Sequence, residues 1–170
     1  MVQELVDLKQ SILEGRYEDA LIRIDELESM SKQAILRNIE SFLIRLIIHL
    51  IKNQLEQRLT NSWVASISDS IVQIKKLNLQ DNKKSFYIKK EDWQNFIEEA
   101  IEQSIRPASV EVLQGSLKPA QISNRLDRVQ ITQITQSLLN LTYEYSVKDL
   151  PNQIDLELIK LPGGEAWFNE

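Results

Sequence analysis

Apolar residues recur three and four positions apart along most of the chain, the spacing of one face of an α-helix. From Val2 to Glu14 this spacing is kept by Leu5, Leu8, Ile12 and Leu13, and Gly15 is placed to terminate that first helix. Tyr17, Leu21, Ile24 and Leu27 set out a second short helix, with Asp25, Glu26 and Glu28 on its water-facing sides. After Met30 a central helix is predicted, with Ser31 as its N-cap. Its apolar positions are Ile35, Leu36, Ile39, Phe42, Leu43, Leu46, Ile47, Leu50 and Ile51. That arc is wide enough to pack on more than one side, within the monomer or across an oligomer interface.

The pattern continues beyond it. Asn61 or Ser62 is the expected cap of a helix carrying Trp63, Ile67, Ile71 and Ile74. Residues 78 to 90, with Asp81, Asn82 and Lys83, Lys84, Lys89 and Lys90, read as an exposed connection. Trp93, Phe96, Ile97, Ala100, Ile101 and Ile105 mark another amphipathic helix, which Pro107 is expected to end or to follow. Past Gly115 and Pro119, the series Ile122, Leu126, Val129, Ile134, Leu138 and Leu141 predicts one long helix. The tail after Pro151 alternates Ile154, Leu156 and Leu158, which is compatible with a short strand, before Pro162, Gly163, Gly164 and the aromatic pair Trp167 and Phe168. The fold class expected is therefore all-α, a bundle of five to six helices with an irregular C-terminal tail that accommodates a short strand. Residues 1–110 are expected to form the bundle core, and residues 111–170 a C-terminal helix and tail packed on the same domain.

Composition narrows the function. Four Gly and four Pro in 170 residues fall well below the average of roughly one residue in eight for the two together, in keeping with long helices. With no Cys, disulfides, thiolate metal sites and a cysteine nucleophile are excluded, and a reducing, cytoplasmic setting is the expectation. The opening residues mix Glu4, Asp7 and Lys9, unlike an export leader. The most apolar run, Phe42 to Ile51, is interrupted by Arg45 and His49 and is about half of the ~20 residues a membrane span requires. A formal net charge of -5 disfavours a nucleic-acid partner, the lysines at 83 to 90 forming only a local cluster.

No phosphate-binding glycine loop, dinucleotide fingerprint, zinc-protease motif or nucleophile elbow occurs. His49 is the single histidine, so it limits most catalytic schemes. A di-iron bundle needs two Glu-x-x-His pairs, so Asp25, Glu26, Glu28 and Glu40 around one imidazole do not supply that centre, and neither a metal nor a cofactor is expected. Arg45 and His49 lie four apart on one helical stripe, where a guanidinium and an imidazole can hold a phosphate, or can meet acids such as Glu40 or those of the second helix and fix the packing. The structural role is the leading expectation. Trp63 and Trp93 fit apolar faces, whereas Trp167 and Phe168 sit in a polar terminus as candidate interaction residues, docking on their own domain or anchoring a partner.

Two resemblances bear on these candidates. Arg45 and His49 are similar to the HEPN ribonuclease motif, an Arg and a His on one helix with four to six residues between them, used at a dimer interface. Here three residues, Leu46, Ile47 and Ile48, intervene. A second resemblance rests on Arg16-Tyr17-Glu18, Ile24-Asp25-Glu26-Leu27-Glu28-Ser29-Met30, Glu40-Ser41, Arg45-Leu46 and His49-Leu50-Ile51-Lys52, followed by Ser62-Trp63, Ser66-Ile67 and Ile74. In this order they resemble the domain of unknown function 29 family, common in cyanobacteria, over residues 14 to 105. The resemblance implies a helical fold and no established activity. The chain departs from that family in lacking its longer N-terminal lead and in extending through residues 115 to 170. Taken together, the residues lead to an expected non-enzymatic helical interaction or regulatory protein, a homo-oligomer or one with a single protein partner. The alternative is a metal-independent ribonuclease or nucleotide-handling enzyme using Arg45 and His49.

Overall fold

The computed structural model describes residues 2–80 and 84–170, so Asp81, Asn82 and Lys83 of the expected connection lie outside the described residues. The fold is all-α. The helices are α1 (Val2–Leu13), α2 (Tyr17–Glu56), α3 (Asn61–Asn78), α4 (Gln94–Glu111), α5 (Pro119–Arg125), α6 (Arg128–Glu144), α7 (Leu150–Leu158) and α8 (Gly164–Asn169). Among the described residues the only β feature is an isolated bridge between Leu79 and Phe86. None of these helices is long and apolar enough to cross a membrane.

The chain divides into two compact units, Met1–Asn38 and Ile39–Glu170, and α2 runs through the boundary. In the first unit α1 and the start of α2 form a hairpin closed by Gly15 in the left-handed conformation (φ 73°). Arg16 ties the turn together by bonding Glu14 and Asp19, and Arg23 of α2 reaches Asp7 of α1 at 3.6 Å. The second unit holds the core. Ile39, Leu43, Leu46, Ile47 and Ile51 of α2, Ile67, Ile71 and Ile74 of α3, Trp93, and Ile97 of α4 are wholly buried. α6 packs against α3, α4 and α7, and α7 also packs on α3.

Several expected boundaries move, each for a local reason. The second and central helices are one continuous α2, because nothing near Ser29-Met30-Ser31 forces the backbone out of helix, and Ser31 is an interior residue. The cap of α3 is Thr60, whose side chain accepts from the Trp63 N–H at 3.1 Å, rather than Asn61 or Ser62. Pro107 lies inside α4, which continues to Glu111. Proline removes one helical hydrogen bond at Gln103, and both residues face water, which satisfies the freed carbonyl. The long helix expected over 122 to 141 is interrupted at Leu126, which is extended, and restarts because Asp127 caps α6 by accepting from the Gln130 N–H at 3.1 Å. The tail forms no strand. Leu150, Ile154 and Leu158 are wholly buried at helical spacing in α7, and Leu156, the third member of the apparent alternation, is exposed.

The two ends of the 78 to 90 segment are better anchored than an exposed connection requires. The buried Asn78 carboxamide donates to the Ile88 carbonyl at 2.8 Å and accepts from the Ile88 N–H at 2.7 Å. Tyr143 of α6 donates its hydroxyl to the same carbonyl at 2.6 Å and accepts from Trp93 Nε1 at 2.7 Å. Lys84, Lys89 and Lys90 are exposed, and Lys90 pairs with Glu144 at 3.3 Å.

Candidate functional site

His49 and Lys52 are three residues apart on α2, so they share a stripe, and both meet Trp63 in the first turn of α3. The turn between the two helices is set by Gln57 in a left-handed conformation (φ 56°) and by Asn53, whose side-chain amide donates to the carbonyls of Arg58 at 2.9 Å and Pro162 at 2.8 Å. This geometry stacks two cations on one indole. The Lys52 ammonium lies 4.7 Å and the Arg58 guanidinium 4.6 Å from the ring centre of the buried Trp63.

The rest of the site comes from the end of α4 and the turn behind it. Lys52 pairs with Glu111 at 3.8 Å, and Arg58 Nε donates to Glu56 Oε1 at 3.0 Å. The second carboxylate oxygen of Glu56 accepts from the Leu113 N–H at 3.3 Å. Leu113 (φ 46°, ψ 44°) and Gln114 (φ 60°, ψ 31°) are both left-handed, and Gly115 follows at φ 76°. Each such non-glycine residue costs about 1–2 kcal/mol, and strain of this kind gathers at ligand clamps and switch regions. Lys52, Glu56, Arg58, Trp63, Glu111, Leu113 and Gln114 together line a groove of about 410 Å³.

His49 stands beside this groove, its ring centre 6.5 Å from that of Trp63. Burial lowers its pKa to about 4; Lys52 and Arg45 push in the same direction, while Glu111 opposes them. The ring is therefore neutral at pH 7, and its buried Nδ1 has no hydrogen-bond partner among the described residues. Arg45 donates to Asp69 of α3 at 2.9 Å, both side chains being about half exposed, so its acid comes from neither Glu40 nor the early part of α2.

The aromatic tail docks on its own unit. Trp167 is partly buried, with Nε1 3.4 Å from Asn61 Oδ1, and Phe168 stays exposed in edge-to-face contact with it. Gly163 makes the docking fit, since a Cβ there would stand 2.7 Å from Arg58 Cα. Trp167 thus meets the first residue of α3, whereas Asp69, the partner of Arg45, lies about two turns further along that helix. Among the described residues no group of three or more His, Asp or Glu side chains is arranged to hold a metal.

The sequence singled out His49 and not the groove next to it. Lys52 was visible in the run His49-Leu50-Ile51-Lys52, but Arg58, Glu111, Leu113 and Gln114 lie in other segments, and Gly115 is the one local sign of the left-handed turn.

Fold and site together define an all-α protein with one polar, strained groove where α2, α3 and the end of α4 meet. The chain belongs to the family described as domain of unknown function DUF29, whose sequence profile matches residues 19–114, more than half of the 170 residues and all of the groove lining. Comparison with curated proteins and with solved structures gives no match.

Proposed function

We propose that the protein is a non-enzymatic helical interaction protein that self-associates through its N-terminal hairpin. One observation carries this reading: residues 2–38 bury only Ser11 and Ala20, while Val2, Leu5, Val6, Leu13, Tyr17, Leu21 and Ile22 are each more than half exposed. At ~100 Å² apiece such side chains present roughly 700 Å², close to the ~800 Å² per partner of a standard interface. A two-helix hairpin gives each helix a single neighbour, and a second copy supplies the missing layer of a four-helix arrangement with the same patch on both sides.

The ribonuclease reading is less well supported. Arg45 is engaged by Asp69, and His49 is a neutral, half-buried ring whose low pKa makes it a weak base near neutral pH. The test is light scattering on the full chain and on a Leu5→Glu, Leu21→Glu variant. A wild-type dimer that becomes a folded monomer supports the proposal. A wild-type monomer at high micromolar concentration, or a dimer indifferent to both substitutions, overturns it.

A further inference from the structure

Hydrogen-bond supply and demand are unequal in the groove beside Trp63. Lys52 has three N–H donors on a side chain only 9% exposed, and its carboxylate partner on Glu111 stands 3.8 Å away, within ion-pair reach but too far for a hydrogen bond. Arg58 commits Nε to Glu56, and its two terminal nitrogens have no protein acceptor among the described residues. Glu56 is engaged at both oxygens, one accepting from Arg58 and the other from the Leu113 N–H. Glu111 is the loose member, its side chain 51% exposed. The donors left without a protein acceptor in bonding distance among the described residues, on Lys52 and at the two terminal nitrogens of Arg58, belong to two cations.

We propose that this groove binds the phosphate group of a small molecule, held between Lys52 and Arg58 with Trp63 as the floor. A phosphate offers several acceptor oxygens and up to two negative charges to the Lys52 and Arg58 donors, and it competes with the loosely held Glu111 carboxylate for Lys52. The volume, about 410 Å³, lies within the range of small-molecule sites and exceeds what a bare ion fills, which favours a phosphate monoester over free phosphate. The left-handed Leu113 and Gln114 form the opposite wall, held in place by the Glu56 contact to the Leu113 N–H. On binding, the Glu111 carboxylate swings toward water and yields Lys52 to the ligand.

The experiment is a nitrogen-15 NMR titration of the full chain at constant ionic strength, with inorganic phosphate, ribose 5-phosphate and, as a blank, sodium chloride. Saturable shifts are expected at the Trp63 indole N–H and the Leu113 and Gln114 amides, with the ester binding at least threefold more tightly than free phosphate. Arg58→Gln, at a side chain 57% exposed, is expected to keep the dispersed amide spectrum of the folded chain and to weaken binding at least tenfold. Glu111→Gln is expected to tighten it severalfold by removing the competing carboxylate. A purely structural role for these charges does not drive the two variants in opposite directions. Saturation by free phosphate with no gain for the ester keeps the site and reassigns its ligand to the free ion. No saturation with either compound, or saturation that Arg58→Gln leaves unchanged, overturns the proposal. The hairpin plays no part in this result, so it stands or falls apart from self-association.

Discussion

Residues 2–38 and residues 39–170 are both helical, yet they treat their apolar side chains in opposite ways. Within the single helix α2, Leu21 and Ile22 are more than half exposed, whereas Ile39, Leu43, Leu46 and Ile47 are wholly buried. The sequence periodicity is the same on both stretches. Periodicity specifies a helix, and the number of neighbours decides whether its apolar face is covered. In the second unit, three further helices pack around α6, while within residues 2–38 only Ser11 and Ala20 are buried.

The largest expected effect is in the buried half of α2. Leu46→Ala is expected to cost about 2–5 kcal/mol in urea unfolding, against less than about 0.5 kcal/mol for Leu21→Ala measured on the monomer. Equal losses at the two positions would erase the contrast between the units. A smaller effect concerns His49. The folded chain holds the ring's pKa at about 4 against an ordinary 6.5, so the unfolded chain takes up the proton more readily between those values. Stability is complete above pH 6.5 and falls as pH drops toward 4. The loss is on the order of 1–2 kcal/mol once solvent screening of a part-exposed ring is allowed for. His49→Gln should flatten that slope in thermal melts across the same window, and an unchanged slope would assign it to other groups. The smallest effect is the Arg45–Asp69 pair, where a double-mutant cycle is expected to give about 0.2–1 kcal/mol, falling with added salt. A larger, salt-insensitive coupling would mean that the second unit depends on its surface charges as well as its core.

The helices were legible because their apolar spacing is regular, and the places where reading failed have physical causes. Ser31 resembles an N-cap, but a serine inside a helix costs little, so α2 passes through it. Ile154 and Leu158 belong equally to an alternating and to a four-residue pattern; Leu150, four positions earlier and buried, decides for helix. Asp127 capped a helix start that the apolar series alone ran across. At the site, His49 drew notice as the single histidine and Trp63 was correctly placed as a buried residue. The groove was not legible, because Glu111 and Arg58 are distant in sequence from Lys52 and because left-handed Leu and Gln residues leave no compositional mark.

The clasp that Asn78 makes on Ile88 has a consequence for how this chain can change. One carboxamide pairs with a peptide unit ten residues on, as a neighbouring strand would, so Asn78 and Ile88 are held together as one fixed point. Closing a longer segment over the same point adds only ~0.6 kcal/mol for each doubling of its length. A change in the number of residues between Asn78 and Ile88 is therefore expected to leave the register of α3 and α6 unchanged.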